Sequence, residues 1–371
     1  MEKILLVTAV APSKLTGGLN YTLKVIEDLS QEYSVDVCYF KYKHEAPFTP
    51  FTGNTTVVKV VELKVYSKLF NCIKLFFLHP FFTCRLNAGL MYYILKNRNK
   101  YSYFYFDFSQ MFIYSLLLRN KVKFLMAHDI ITQKYSRKNG LLNNINFHFV
   151  RFSERLILRL SHSKIFCFSN KDRQLIKDIF NIESNKVDFF INDEIKKVNY
   201  DTIRLSHNFM FLGAWARKEN SDGLEWFLDN VMPQLGREIS FTVVGSGLSR
   251  RLLAKLGHYS TIRVLGFVDD PYQLLAGSLG LIAPLFQGAG VKVKVIESLA
   301  CGTPVIGTKI AFEGIEGVES RHLLECTEPQ DYVKAIQQLE SIDLSSKRRL
   351  REKFLSMYPK DTFKDYLNQH G

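Results

Sequence analysis

Gln287-Gly-Ala-Gly-Val-Lys-Val-Lys-Val-Ile-Glu297-Ser-Leu-Ala-Cys-Gly302-Thr-Pro304-Val-Ile decides the fold. The apolar run before it, Leu279 to Leu285, has the length of a buried strand. A small-residue loop then opens a short helix, and Gly302-Thr-Pro closes it ahead of a further strand at Val305 to Gly307. Strand, loop, helix, strand is the unit from which parallel sheets are built. The same residues carry chemistry. A helix N-terminus offers unpaired N–H groups and partial positive charge, so it attracts anions. Lys292 and Lys294 add two full charges at that junction, which suits a diphosphate, and Glu297 is placed to accept hydrogen bonds from ribose hydroxyls. The competing reading is an ordinary βαβ turn with solvated lysines.

Outward from the loop the alternation repeats. Phe209 to Leu212, Phe241 to Val244 and Ile262 to Leu265 read as strands, the second ending in the turn Gly245-Ser-Gly247. Helices are predicted at Gly223 to Met232, Pro271 to Leu275, Asp331 to Ile342, Ser345 to Met357 and, in the tail, Thr362 to Gln369. In the amino-terminal half, strands are predicted at Ile4 to Val10, Val35 to Phe40, Val57 to Leu63, Tyr103 to Phe106, Lys123 to Ala127 and Ile165 to Phe168. Helical spacing marks Tyr21 to Leu29, Phe149 to Leu160 and Lys171 to Phe180. The polar stretch Asp193 to Ser206 reads as an interdomain connection. The pattern predicts an α/β chain of two doubly wound domains, residues 1–195 and 207–350.

Composition agrees with two domains, since 371 residues exceed the roughly 150 of one. The six cysteines show no Cys-x-x-Cys pair, which predicts reduced thiols in a cytoplasmic setting and neither disulfide framework nor zinc site. Met1-Glu-Lys leads directly into a strand, without a signal-peptide pattern. Apolar windows long enough to cross a membrane are broken, Leu69 to Phe82 by Lys74 and Pro80, and Tyr103 to Leu118 by Asp107. A net charge of +13 calls for an anionic partner. Between Lys59 and Lys100 eight basic residues and one acid interleave with Phe70, Phe76, Phe77, Phe81, Phe82, Tyr92 and Tyr93. No nucleic-acid motif accompanies them, which favours an anionic membrane surface over nucleic acid. Aromatics that simply fill a core are the bland alternative.

Other residues that suit the same chemistry stand at strand ends. Gly17-Gly18 lies between the first strand and first helix, where a backbone without Cβ can approach a phosphate. His128-Asp129 follows a predicted strand whose carboxyl end faces the ligand crevice of an open α/β sheet, and a neutral imidazole there can hydrogen-bond a sugar hydroxyl. Arg137, downstream in a basic loop, suits an acceptor phosphate or is a solvated arginine. Arg217 and Lys218 are further cations near the second domain's first strand. Phe267 follows the Gly266 turn, and Phe312-Glu-Gly314 reads as a structural turn near the loop. No Asp-x-Asp ends a strand, so no metal is expected.

The Gly288 to Val305 block resembles the nucleotide-sugar site of retaining GT-B glycosyltransferases of family 4. Many of these carry Gly-x-Gly-x-Lys-x-Lys-x-x-Glu-(Ala/Ser)-(Leu/Met)-Ala-x-Gly-x-Pro-Val. The resemblance covers Phe209 to Gly317 well, and the first half only at Gly17-Gly18, His128-Asp129 and Phe166 to Arg173. It implies a GT-B architecture, two Rossmann-like domains facing a cleft, with residues 351–371 returning to the first. It implies that Gly290, Val291, Lys292 and Lys294 hold the donor diphosphate, with Arg217 as a lesser cation, and that Glu297 holds the ribose. Phe267 would meet the base. Gly17 and Gly18 would face the donor phosphates, His128 the transferred sugar, and Asp129 and Arg137 the acceptor. The two-glutamate form of the motif has a second carboxylate that contacts the transferred sugar; here that position is Ala289.

The expected activity is metal-independent transfer of a sugar, with retention, from a nucleoside diphosphate sugar to a hydroxyl. The basic aromatic region suits a lipid-linked or surface-glycan acceptor at the inner face of the cell membrane. A non-catalytic GT-B partner subunit, supported by Ala289, and a nucleotide-sugar epimerase are the alternatives.

Overall fold

The computed structural model describes residues 1–13, 17–50, 53–64, 75–137, 140–236, 238–359 and 362–370. It divides into two compact units, Met1–Asp188 with Asp361–Gly371, and Phe189–Lys360. The expected connection at Asp193 to Ser206 is thus part of the second unit. Its composition is polar, but Ile195, Val198 and Ile203 are buried, and Tyr200 donates its hydroxyl to the Cys301 carbonyl at 2.5 Å. The helix Leu344–Met357 runs through the expected boundary at 350 and also stays with the second unit.

The first unit holds strands β1 (Lys3–Thr8), β2 (Ser34–Lys41), β3 (Thr55–Glu62), β4 (Tyr103–Asp107), β5 (Val122–Met126), β6 (Lys164–Cys167) and β7 (Asn185–Lys186). They run parallel in the order β3-β2-β1-β4-β5-β6-β7. β1 is central, so Ile4 to Val7 are buried on both faces and show no alternation. β3, at the edge, buries only Thr55 and Val61 and leaves the rest half-buried or exposed. The terminal helix Phe363–His370 packs on this sheet. The Phe363 ring lies 4.7 Å from that of Tyr105 and 5.2 Å from those of Phe124 and Phe166, and Lys364 pairs with Glu32 at 2.8 Å.

The second unit holds β8 (Asn208–Leu212), β9 (Ser240–Val244), β10 (Ile262–Gly266), β11 (Gly280–Ala283), β12 (Val305–Gly307) and β13 (Leu323–Glu325), parallel in the order β10-β9-β8-β11-β12-β13. In both units the strand order reverses beside the first strand, between β1 and β4 and between β8 and β11. Ligands of open α/β sheets bind outside the carboxyl ends of strands at such a point. The two strand orders and parallel pairing give the chain the GT-B fold of two Rossmann-like units.

Where structure and periodicity part, the reasons are local. β7 and β13 span two and three residues, too few for a period to register. The helix Leu141–Ser161 starts eight residues ahead of the expected Phe149, because its first turns carry exposed apolar residues that spoil a helical burial pattern. The aromatics of Lys59 to Lys100 split. Phe82 is core, Phe81 and Tyr93 pack against it, and Phe76, Phe77 and Tyr92 are exposed. Phe70 lies outside the described residues.

Candidate functional site

In the second unit, two helices start at the switch point between β8 and β11. Lys218–Asn230 has Arg217 at its N-cap position, and Val293–Ala300 has Lys292; neither N-cap makes a side-chain capping bond. The helices Arg250–Leu256 and Leu344–Met357 are capped by Ser249 and Asp343 in the usual way. With a cation where an oxygen acceptor normally sits, the N–H groups of Asn220 and Val295 turn back to the carbonyls of Arg217 and Lys292, and the first-turn N–H groups ahead of them face an outside anion.

Lys294 joins these two helices. Its Nζ donates to Asn220 Oδ1 at 2.9 Å, and Asn220 Nδ2 donates to the Ala214 carbonyl at 3.0 Å. Burial, followed by the charges of Lys292 and Arg217 against the opposing pull of Glu219, lowers the Lys294 ammonium to about 8. Cations gathered against their own repulsion and desolvation make a site that gains most when an anion arrives. Lys292 folds back into the loop, where Nζ donates to the carbonyls of Gly290 at 2.7 Å and Ala289 at 3.3 Å and lies 3.9 Å from Glu313. It therefore props the loop as well as charging it, and Glu313 belongs to that support. Gly288 and Gly290 take φ of 122° and 67°, a left-handed backbone that a side chain would strain. Val291 precedes the Lys292 cap, and Ala289 is buried.

Glu297 accepts the Tyr272 hydroxyl at 2.9 Å, and Tyr272 in turn accepts from Asn192 Nδ2 at 3.0 Å. Burial raises the carboxyl to about 7, against the lowering effect of the Tyr272 bond. Arg217 is exposed, and Phe267 is 56% exposed after Gly266.

In the first unit, Gly17 and Gly18 open the helix Gly17–Leu29 at the end of β1. A Cβ on Gly18 would stand 3.5 Å from the Phe108 ring and 3.6 Å from His128 Nδ1, so these residues converge. The carboxylate that His128 meets is Asp107, at 2.7 Å from Nε2. Asp107 ends β4, is fully buried, and also accepts hydroxyls from Thr8 at 3.2 Å and from Thr22. A neutral imidazole so held donates from Nε2 and turns the lone pair of Nδ1 toward Gly18. Phe108 stacks on the imidazole at 3.9 Å and 14°, and its own φ of 67° marks a strained backbone. Asp129 contributes its backbone carbonyl to Ser109 Oγ at 3.5 Å, and Arg137, half-buried, ends the helix Ile131–Ser136.

Asp107, Phe108 and Tyr272 escape the sequence reading. Asp107 is visible there only as a charge interrupting an apolar window; its place directly after a buried strand is the signal that points to a site. Among the described residues no three His, Cys, Asp or Glu gather as metal ligands, and no helix is long and apolar enough to cross a membrane.

The family model of glycosyl transferases group 1 matches residues 206–341, which contain Arg217, Tyr272, Lys292, Lys294 and Glu297 of the second site. A Klebsiella pneumoniae protein described as an uncharacterized 44.6 kDa protein in cps region is 26% identical over 243 residues, 59% of this chain and 60% of that relative. The fold is shared with sucrose-phosphate synthase of Thermosynechococcus elongatus, at TM-score 0.69, 15% identity, and coverage of 100% of this chain and 98% of that one. Anabaena HepE, solved in complex with UDP and glucose, is similar at TM-score 0.66 and 14% identity over 98% of this chain and 97% of that one.

Proposed function

We propose that this chain is a retaining glycosyltransferase that moves a sugar from a nucleoside diphosphate sugar to a hydroxyl of a lipid-linked or surface-glycan acceptor at the inner membrane face. The observation that carries the reading is the convergence of Arg217, Lys292 and Lys294 on two helix N-termini that lack side-chain caps. When the bond between sugar and diphosphate breaks, negative charge builds on the leaving phosphate, and preorganised positive charge is the largest help a protein gives such a step. Gly290 and Val291 bring loop backbone to that phosphate. Glu297, oriented by Tyr272, takes the ribose, and Phe267 covers the base.

In the first unit Gly17 and Gly18 admit the reacting groups, and Asp129 and Arg137 hold the acceptor. His128 hydrogen-bonds the transferred sugar. Attack comes from the face that the leaving phosphate vacates, and that phosphate takes the acceptor proton, which retains the anomeric configuration. No metal takes part in this scheme. The family match over residues 206–341 and the relative from a cps region support sugar transfer in surface-polysaccharide assembly.

Isothermal titration with UDP and GDP, followed by turnover of the matching sugar nucleotides, tests the reading. Micromolar binding with release of nucleoside diphosphate is expected; absence of binding by either nucleotide would sink it. Ala289, where the two-glutamate motif has a carboxylate, favours a second reading as a non-catalytic subunit, which would bind nucleotide and leave the sugar attached.

A further inference from the structure

The helix Leu141–Ser161 buries one side and leaves an unusual residue set on the other. Leu142, Ile145 and Phe152 are each more than half exposed. Their spacings of three and seven residues put them on one stripe of an α-helix. His148 and Arg155 extend the stripe, and Arg151 flanks it, all three exposed. The sole acid of this helix, Glu154, is buried on the other side. A second exposed apolar pair is anchored close by. Phe76 and Phe77 precede His79, whose N–H donates to Ser153 Oγ at 2.8 Å and whose ring lies 5.4 Å from that of Phe149.

Charge says what covers this face. From Lys59 to Arg159 the chain carries 17 Lys and Arg against 4 Asp and Glu, an excess equal to the +13 of the whole protein; Asp107 and Glu154 of the acids, and Lys123 of the cations, are buried. Everything outside that stretch is balanced. Solvated Phe, Ile and Leu interleaved with exposed arginines such as Arg151 and Arg155 are what an interfacial helix presents to an anionic bilayer. Nucleic acid would use the arginines and leave Leu142 and Ile145 without a role. We infer that the outer face of Leu141–Ser161, with the Phe76-Phe77 tip, is a docking surface for anionic phospholipid.

The inference deepens the membrane part of the proposed function and gives it a location other than the Lys59 to Lys100 stretch as a whole. It also links that surface to the acceptor side. Glu154 accepts the N–H groups of Ile131 at 3.1 Å and Thr132 at 2.8 Å, together with the Thr132 hydroxyl at 2.6 Å, so the helix that meets lipid also holds the segment that follows His128.

The test is co-sedimentation of the full chain with phosphatidylglycerol–phosphatidylcholine vesicles and with phosphatidylcholine alone, without nucleotide. Selective binding to the anionic vesicles is expected. The double variant Ile145→Asp, Phe152→Asp should lower the partition coefficient at least tenfold, and Arg151→Glu, Arg155→Glu should remove the preference for anionic lipid. Unchanged melting temperature and nucleotide binding show that each variant is folded. Equal vesicle binding by wild type and the Asp variant overturns the inference. So does a wild type that ignores anionic vesicles, including one that forms a dimer which the Asp variant breaks. Because vesicle binding is read without donor, its failure is separate from any failure of sugar transfer.

Discussion

Asp107 Oδ1 lies 2.7 Å from His128 Nε2, joining the end of β4 to the segment after β5. The pair fixes the imidazole's tautomer and orientation, and the Thr8 and Thr22 hydroxyls fix the carboxylate in turn. Asp107 is thus a positioning residue for His128. Asp107→Asn keeps the shape but offers an amide N–H to Nε2, which favours the opposite tautomer. Turnover should fall on the order of a hundredfold, the loss that follows when a positioned group is misplaced by about 1 Å, while donor KM stays within about twofold. A donor KM that rises as much as kcat falls would show that the pair serves binding instead.

The contrast between the two sites shows what a linear sequence reveals. The second unit's site is legible because its cations, glycines and carboxylate fall within one short loop and helix, Gly288 to Glu297, where spacing alone encodes geometry. Asp107 and His128 are 21 residues apart, at the end of β4 and just past the end of β5, so their meeting depends on the order β1-β4-β5, which periodicity does not supply. Tyr272 and Glu297 are 25 apart for the same reason. The long apolar strands β1 and β4 are easily read, whereas Leu141–Ser161 is half hidden because its exposed stripe is apolar too.

Donor affinity should pass through a maximum between about pH 7 and 8. Glu297, raised to about 7, accepts ribose hydroxyls best as carboxylate, so affinity climbs as pH rises through 7. Lys294, lowered to about 8, loses its charge above that pH, so affinity for the diphosphate then falls. Titration calorimetry from pH 6 to 9 checks this. Glu297→Gln should flatten the acid limb and Lys294→Met the basic limb, and a wild-type profile flat across both limbs contradicts the two assignments.

Glu297→Ala should weaken nucleotide binding about tenfold or more, as expected for removing a charged hydrogen-bond acceptor. Acceptor affinity should change far less. Tyr272→Phe keeps the carboxylate and loses only its orienting bond, so a smaller loss is expected from it. Equal nucleotide affinity in wild type and Glu297→Ala, measured by calorimetry, would remove the ribose role.

Gly223 seats the Lys218–Asn230 helix against the strand that leads into the loop. A Cβ there would stand 2.0 Å from the Pro284 carbonyl oxygen, and neither backbone can yield without moving the other. Gly223→Ala should cost about 1–3 kcal/mol, the usual range for overpacking. It should also loosen the bond between Lys294 and Asn220, which spans the same two elements. Chemical denaturation reads the first effect and nucleotide titration the second; a variant as stable as wild type would show that the helix has room to shift.

Lys347 supplies a pH signature that belongs to folding. It is fully buried, its Nζ donates to the Ser278 carbonyl and to Thr303 Oγ1 at 2.9 Å, and burial lowers it to about 7. The unfolded chain holds that proton up to about 10.4, so between those values unfolding takes up a proton. The stability that Lys347 contributes is therefore fully present above the unfolded pKa and is lost as pH falls through about 7. One proton gives a slope of at most about 1.4 kcal/mol per pH unit. Lys347→Met removes the titration and keeps the volume, so its stability relative to wild type should rise as pH is lowered from 10 to 7 and level off below. Glu297 titrates at the other end of the scale. Its raised carboxyl stabilises the fold below about pH 4.5, and that contribution is lost as pH rises through about 7, so its slope lies beneath the Lys347 window. Urea unfolding of both proteins at each pH decides the matter, and parallel curves from pH 7 to 10 would mean that Lys347 keeps its proton in the folded chain.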